Sequence, residues 1–280
     1  MILKQVLQQG EARLRMGAHP ASARRDTELL LRHILQHDRA TLLAHSNDGL
    51  AVADVISFLG LIERRLTGEP IQHILGETEF YGLPFRVTRD VLIPRPETEH
   101  LVEKVLDLAG RFPQPRLVDI GTGSGAIAVA LAHKLPQASV TAIDISPAAL
   151  AIAEENAKRN AVAVRFLCGD LLAPVAAERF EIVVSNPPYV PAVDRDSLAV
   201  EVREYEPGLA LFAGDDGLDI YRRLIPDAFA VLVPGGFVAL EIGFGQSSAI
   251  ADLLAASGFA QIEFVPDLQS IPRVACALRP

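Results

Sequence analysis

No tryptophan occurs anywhere in the chain, and aromatic residues make up only 6% of it. Sugar-binding surfaces and platforms that stack single-stranded bases are built from such rings, so neither role fits the composition. Cysteine is almost as scarce. Cys168 and Cys276 sit in apolar runs with no spacing that suits a zinc or redox motif. Both read as buried thiols of a reducing compartment, and no metal site is expected. No apolar run approaches the roughly 18 residues of a membrane span. Met1 to Gly17 reads as a mixed polar helix rather than a secretory leader. No membrane association and a cytoplasmic location are expected. Positive charge is in deficit too, with a net charge of −9. Residues 1–90 hold eleven basic and eleven acidic side chains, so the whole deficit falls on residues 91–280. A domain that grips a nucleic-acid duplex normally shows a basic face. Direct nucleic-acid binding is therefore not expected, and a protein or a small molecule is the favoured partner. What the 280 residues do hold is apolar material, 50% of the total against 22% charged. That is enough for a sizeable core in one large domain or two smaller ones.

The first third predicts helices. Leu3, Val6, Leu7 and Leu14 recur at helical spacing, Arg24 to His37 carries a denser apolar set, and Val52 to Leu66 is a third candidate. This predicts a small all-helical domain over residues 1–75. Residues 76–93 predict a β-hairpin linker, with strands in Thr78 to Val87 and Gly82-Leu83-Pro84 as the turn. A helix is expected to start at Pro96, where proline suits the first turn and Glu97 and Glu99 suit its positive end. From Arg116 onward apolar strands alternate with helices. Strands are predicted at 117–120, 140–143, 162–167, 180–184, 237–242, 259–265 and 273–278, with helices at 124–133, 147–159, 218–231 and 248–257. The alternation predicts an α/β, Rossmann-like domain over residues 94–280. Pro191 to Asp216 reads as a long, polar, irregular connection, a length that is uncommon unless functional.

Two stretches carry chemistry. Asp119-Ile120-Gly121-Thr122-Gly123-Ser124-Gly125 follows a predicted strand and opens a helix. Glycines there let the backbone turn tightly and come close to a ligand, and free N–H groups at the helix start favour a polar or negative group. Asp144 ends the next strand, where a carboxylate can accept from both hydroxyls of a ribose. The stretch alone suits a methyl donor, with Asp119 near the donor's ammonium group. It suits a nicotinamide or flavin dinucleotide as well, since Gly121, Gly123 and Ala126 satisfy the looser fingerprint. Asp170 and Leu171 follow the third strand, where Asp170 can accept from an adenine amino group or simply close a turn. The second stretch is Ser185-Asn186-Pro187-Pro188-Tyr189 at the end of the fourth strand. The paired prolines stiffen the chain and leave carbonyls without donors. Asn186 Oδ1 and a proline carbonyl can together accept both hydrogens of an –NH2 group, and Tyr189 can lie against a flat target. A methyl donor's sulfonium is already activated, so alignment rather than a strong base is what such a site must provide.

With these residues in view, the chain resembles the protein-(glutamine-N5) methyltransferases that modify peptide chain release factors. Val91-Leu92-Ile93-Pro94-Arg95-Pro96-Glu97-Thr98-Glu99 is similar to that family's signature before its catalytic domain. Asp119 to Ala132 resembles the methyl-donor loop and Ser185 to Val190 the catalytic loop. Glu206-Pro207, Ala210-Leu211, Gly214 to Leu218, and Glu241-Ile242-Gly243 with Gln246 match further runs. The resemblance implies a helical N-terminal domain joined by a hairpin to a seven-stranded methyltransferase domain. It implies S-adenosyl-L-methionine as cofactor, held by Asp119, Gly121, Thr122, Gly123, Ser124, Gly125, Asp144, Asp170, Leu171 and Asn186. It implies as substrate the glutamine of a Gly-Gly-Gln motif in a class I release factor, held by Asn186, Pro187, Pro188 and Tyr189, with the N-terminal helices touching a distant part of that partner. Asn186, Pro187 and Tyr189 would be the catalytic residues. The chain departs from the family near its end, where Asp267-Leu268-Gln269-Ser270-Ile271-Pro272-Arg273 has Ser270 in place of a glycine. Rival readings are an adenine-N6 methyltransferase acting on DNA or RNA, a dinucleotide oxidoreductase, and a non-enzymatic protein that kept the fold.

Overall fold

The computed structural model describes residues 1–267 and 269–280; Leu268, in the stretch that departs from the family pattern, lies outside the described residues. The chain forms two compact units, Met1–Gly76 with Ala199–Tyr205, and Glu77–Leu198 with Glu206–Pro280.

The first unit is built on α1 (Leu3–Leu14), α2 (Ala23–Leu35), α3 (Arg39–Ala44), α4 (Val52–Leu66) and α5 (Ile71–Leu75). Leu3, Val6 and Leu14 form a buried stripe on α1. They meet Leu30 and Leu31 of α2 and Phe58 and Ile62 of α4 in one core, as the helical spacing requires. Inside this unit Arg65 and Asp26 form a buried ion pair at 2.8 Å. Arg65 also donates to the Glu69 carbonyl at 2.9 Å and to Glu201 Oε2 at 3.1 Å. Glu201 lies on the short helix Val200–Tyr205, which clusters with this unit although it comes from far along the chain. The stretch 191–216 is thus less irregular than the sequence suggests. A six-residue helix has under two turns in which to display a period, and its ionic partner lies well over a hundred residues away.

The second unit opens with a hairpin, β1 (Glu77–Phe80) and β2 (Leu83–Arg86). Its turn is Tyr81-Gly82, both at positive φ (+54° and +75°), the backbone pair of a type I′ hairpin. Leu83-Pro84 belong to the strand instead of the turn, and Pro84 sits opposite Glu79. Both strands of a two-stranded ribbon are edges, where proline is tolerated. A single 3₁₀ turn, Pro96–Thr98, then leads into α6 (Glu99–Ala109).

The remaining elements run β3 (Arg116–Ile120), α7 (Ala126–Lys134), β4 (Ser139–Asp144), α8 (Pro147–Arg159), β5 (Arg165–Cys168), β6 (Phe180–Ser185), α9 (Val200–Tyr205, already placed in the first unit), α10 (Asp219–Val231), β7 (Leu232–Glu241), α11 (Ser247–Ala256), β8 (Ala260–Pro266) and β9 (Pro272–Leu278). The seven strands form one sheet in the order β5-β4-β3-β6-β7-β9-β8. Neighbours from β5 to β7 pair in parallel, and β9 runs antiparallel to both of its neighbours. Successive side chains leave a strand on opposite faces. Leu117 accordingly packs with α6 and α7, while Val118 packs with α10 and α11. This is the Rossmann-like seven-stranded architecture that the sequence predicts.

Two local expectations differ. Val162-Ala163-Val164 precedes β5 instead of opening it, because the chain leaves α8 through Ala161 at positive φ and Val162 N–H still donates to the Ala157 carbonyl. Cys276 is buried in β9, but Cys168 is exposed at the end of the edge strand β5, not buried. Asn156 of α8 ties the hairpin to this unit. Its Oδ1 accepts from Arg86 N–H at 2.7 Å, and its Nδ2 donates to the carbonyls of Arg86 at 3.0 Å and Ser124 at 2.8 Å.

Candidate active site

The strand order reverses at β3, which lies between β4 and β6. In open α/β sheets the crevice at the carboxyl ends of the strands beside such a reversal is the usual ligand position. Here β3 ends at Ile120 and the chain turns through Gly121 to Gly125 into α7. Gly121 and Gly123 have φ of +67° and +57°, and beyond the adjoining residues no atom lies within 4 Å of where a Cβ on either would stand. The loop therefore presents bare backbone to open space. Asp144, at the end of β4, is locked beside it: Oδ2 accepts from Gly123 N–H at 2.8 Å and Oδ1 from Ser146 N–H at 2.9 Å.

Asp119 lies one residue before the end of β3 and is fully buried. Thr122 Oγ1 donates to its Oδ2 at 2.6 Å, while its Oδ1 has no hydrogen-bond partner among the described residues. Burial pushes its carboxyl up to about 7, against the opposing hydrogen bond from Thr122 and a smaller one from the Ala128 backbone.

The second loop leaves β6. Ser185 Oγ donates to the Ile120 carbonyl at 2.7 Å and so fastens the end of β6 to the end of β3. Asn186 Nδ2 donates to Thr98 Oγ1 at 3.2 Å, and Thr98 Oγ1 donates to Glu241 Oε2 at 2.6 Å. The Tyr189 hydroxyl donates to Glu241 Oε1 at 3.3 Å. Glu241 is buried, and desolvation raises its carboxyl to about 7 although Thr98 and Tyr189 both hydrogen-bond it. Burial and the nearby Glu241 raise the Tyr189 phenol, so it stays protonated and remains a donor. Gln246 Nε2 donates to the Tyr189 carbonyl at 3.0 Å, and Gln246 Oε1 accepts from Gly243 N–H at 2.9 Å. These contacts fix the turn that follows β6 on both sides.

The two loops line one cleft of ≈ 240 Å3. Of the residues singled out in the sequence, Gly121, Gly123, Asp144, Asp170, Leu171, Asn186, Pro187 and Pro188 line it. Asp119, Thr122, Ser124, Gly125 and Tyr189 do not line it and stand behind those that do. The Asp170 carboxylate is ion-paired with Arg223, and both line the cleft. The donor set suits S-adenosylmethionine: a fixed carboxylate at Asp144 for hydroxyl groups, open backbone at Gly121 and Gly123, and an unpartnered carboxylate oxygen on Asp119 behind them. Among the described residues no group of three or more His, Cys, Asp or Glu side chains is placed to hold a metal ion, and no helix is long and apolar enough to cross a membrane.

Known proteins share both the sequence and this fold. The family described as Methyltransferase small domain matches residues 97–202, and the one described as PrmC N-terminal domain matches residues 5–76. The release factor glutamine methyltransferase of Koribacter versatilis is 42% identical, over 100% of this chain and 99% of its own. That of Moorella thermoacetica is 44% identical over the same shares. The chain belongs to the release factor glutamine methyltransferase family. Like the family, it is an S-adenosylmethionine-dependent methyltransferase. The fold is also that of a solved T. thermophilus 16S rRNA N2 G1207 methyltransferase in complex with AdoMet and guanosine, with a TM-score of 0.55, 20% identity, and coverage of 73% of this chain and 50% of that one.

This release factor glutamine methyltransferase family member has cleft residues that reading the motifs one at a time does not reveal. Asp90, Val91 and Leu92 line the cleft from the stretch before Pro96, and Pro207, Leu209 and Ala210 line it from the connection after β6. Only the runs shared with the family pointed to these segments. Arg223, on α10, had no signal at all. Arg95 had no assigned partner in the sequence; it pairs with the buried Glu206 at 2.5 Å, and Glu206 Oε1 also accepts from Ile93 N–H at 3.3 Å.

Proposed function

We propose that this enzyme transfers the methyl group of S-adenosylmethionine to the side-chain amide nitrogen of the glutamine in the Gly-Gly-Gln motif of class I peptide chain release factors, in the cytoplasm. The observation that carries the reading is the meeting of Asn186-Pro187-Pro188 with Gly121, Gly123 and Asp144 in a single cleft. The names of full-length relatives support the substrate.

The cofactor supplies a methyl group already activated on a sulfonium. Asp144 would accept from the ribose hydroxyls, Gly121 and Gly123 would lie as bare backbone against the donor, and Asp170 with Leu171 would flank the adenine. Asp119, shielded from the cleft and supported by Thr122, would act on the donor's ammonium end through its charge. On the substrate side, Asn186 Oδ1 and the Pro187 carbonyl accept the two hydrogens of the target –NH2. That holds the nitrogen with its face toward the methyl group. An amide lone pair is delocalised, so fixed geometry contributes more here than it would for an amine. Pro188 stiffens the turn, and Tyr189 braces it from behind through Glu241.

The test is transfer of a labelled methyl group to a purified class I release factor, with the modified residue located by fragmentation mass spectrometry. One methyl on the Gly-Gly-Gln glutamine is the expected result. Asn186→Ala should abolish transfer, on the order of 10²-fold or more, while S-adenosylmethionine still binds. No label on the protein would overturn the substrate, and label on adenine in supplied DNA or RNA would put an adenine-N6 activity in its place.

A further inference from the structure

We propose that Glu241 is a positioning residue that, acting through the Thr98 hydroxyl, sets the Asn186 side-chain amide with its NH2 turned away from the cleft and its oxygen turned toward the target nitrogen. The inference rests on the reading of Asn186 as the acceptor for that nitrogen. It concerns a residue that does not line the cleft.

The arrangement begins with strand register. β6 and β7 are parallel neighbours with Ser185 opposite Leu240, so the next residues, Asn186 and Glu241, leave the same edge of the sheet side by side. Thr98, buried in the 3₁₀ turn before α6, stands between their side chains. An asparagine amide can be turned by 180° with little change in shape, and packing alone does not choose between its oxygen and its nitrogen. Proton count does choose. In its ionised form, which predominates above about pH 7, Glu241 only accepts, so the single Thr98 hydroxyl hydrogen then goes to its Oε2, at 2.6 Å. The Thr98 oxygen then has only lone pairs left for Asn186, 3.2 Å away. The amide must offer its NH2 to them, because the opposite orientation sets two acceptor oxygens face to face. Asn186 Oδ1 is thereby left for the cleft.

The same carboxylate reaches the other polar side chain of the loop, since its Oε1 accepts from the Tyr189 hydroxyl. Its own backbone is pinned in turn: the Tyr221 hydroxyl of α10 donates to the Glu241 carbonyl at 2.7 Å. A carboxyl at this buried position loses solvation that a neutral side chain of the same size would not. Packing therefore gives no reason for it, whereas its ionised form, an acceptor that cannot donate, is what the Asn186 orientation needs.

The experiment compares Thr98→Val, Thr98→Ser, Glu241→Leu and the Thr98→Val/Glu241→Leu double variant in methyl transfer to a class I release factor. S-adenosylmethionine affinity is measured by calorimetry and folding by thermal unfolding. Thr98→Val keeps the shape and removes the hydroxyl. It should lower kcat on the order of 10- to 100-fold with donor affinity within about twofold. Thr98→Ser, which restores the hydroxyl but not the methyl group, should recover most of the rate. In the Glu241→Leu background the Thr98→Val change should cost less than about threefold, as expected for two links of one chain. A Thr98→Val enzyme as fast as wild type, or one that Thr98→Ser fails to rescue, overturns the proposal, and this pair decides even if Glu241→Leu does not fold. Failure of the wild-type enzyme to label any glutamine is a different result; it overturns the substrate reading and this inference with it.

Discussion

Replacing Asp119 with asparagine should change how the stability of this protein depends on pH. Asp119 is fully buried, its Oδ2 accepts from Thr122, the Ala128 backbone interacts with it more weakly, and its Oδ1 has no close hydrogen-bond partner among the described residues. Desolvation raises its carboxyl from 3.8 to about 7. A group raised in this way contributes stability that is fully present below its unfolded value and is lost as pH rises through its folded value. Between those limits the native state keeps a proton that the unfolded chain has released, and each pH unit removes about 1.4 kcal/mol. From about pH 5.5 to about pH 8 the wild type should therefore lose about 2 kcal/mol through this one group. An asparagine does not titrate, so Asp119→Asn lacks that part of the slope, whatever constant offset its amide introduces. Glu241 is raised to about 7 as well, but it is common to both proteins and cancels in the comparison. The assay is urea unfolding of both proteins at the two pH values without cofactor. A wild-type-minus-variant difference that shrinks by about 2 kcal/mol as pH rises supports the burial account. A difference that stays constant would mean that water or another group already satisfies Asp119.

Three further outcomes follow from single positions. Gly123 sits at φ +57° with open space where a Cβ would project; Gly123→Ala should lower stability by only about 1 kcal/mol yet weaken S-adenosylmethionine binding at least about tenfold by calorimetry, and unchanged affinity would show that the loop does not face the cofactor. Ser270 holds φ +63°, where the family has a glycine, and its N–H donates to the Asp267 carbonyl at 2.9 Å; Ser270→Gly should relieve left-handed strain and raise Tm by about 1–3 °C, whereas a fall would show that the strain is already absorbed. Arg65→Met leaves the buried Asp26 carboxylate without its cation, held by the Ser22 hydroxyl at 2.7 Å, and should cost about 3 kcal/mol in urea unfolding, with a loss under about 1 kcal/mol arguing that the pair is hydrated.

Much of the fold was legible because its cues are local. Apolar runs near 117–120, 140–143 and 180–184 mark strands buried on both faces, and the stripes of α1, α2 and α4 mark helices with one buried face. The cleft was half legible for the same reason. Gly121, Gly123, Asp144 and Asn186 lie in short motifs whose chemistry can be read from neighbouring residues. What stayed hidden is long-range. The partnership of Thr98 with Asn186 and Glu241 depends on the β6–β7 register, and that of Asp170 with Arg223 depends on where α10 lies against the sheet. The ion pair of Arg65 with Glu201 joins residues far apart in sequence. Hairpin turn chemistry misled for the opposite reason: Pro84 is a strong local turn signal, but in a two-stranded ribbon it has an edge to occupy.

The chemistry of the cleft also argues for how the reaction is promoted. Among the described residues, the ionisable side chains that line it are Asp90, Asp144, Asp170 and Arg223, with no histidine, lysine, cysteine or tyrosine. Asp144 is held by two backbone N–H groups and Asp170 by Arg223, while Asp90, at the exposed rim, accepts from the Thr88 hydroxyl at 3.0 Å. The two carboxyls raised toward neutrality, Asp119 and Glu241, both lie behind the lining. A site that had to remove a proton before methyl transfer would have one of these groups at its surface. This one instead offers a fixed asparagine oxygen and carbonyls on a rigid proline turn. That equipment suits a neutral –NH2 group that needs alignment, and the proton lost after transfer can leave to water. The pH dependence of kcat should then reflect the integrity of the Glu241–Thr98–Asn186 chain and not the titration of a base in contact with substrate.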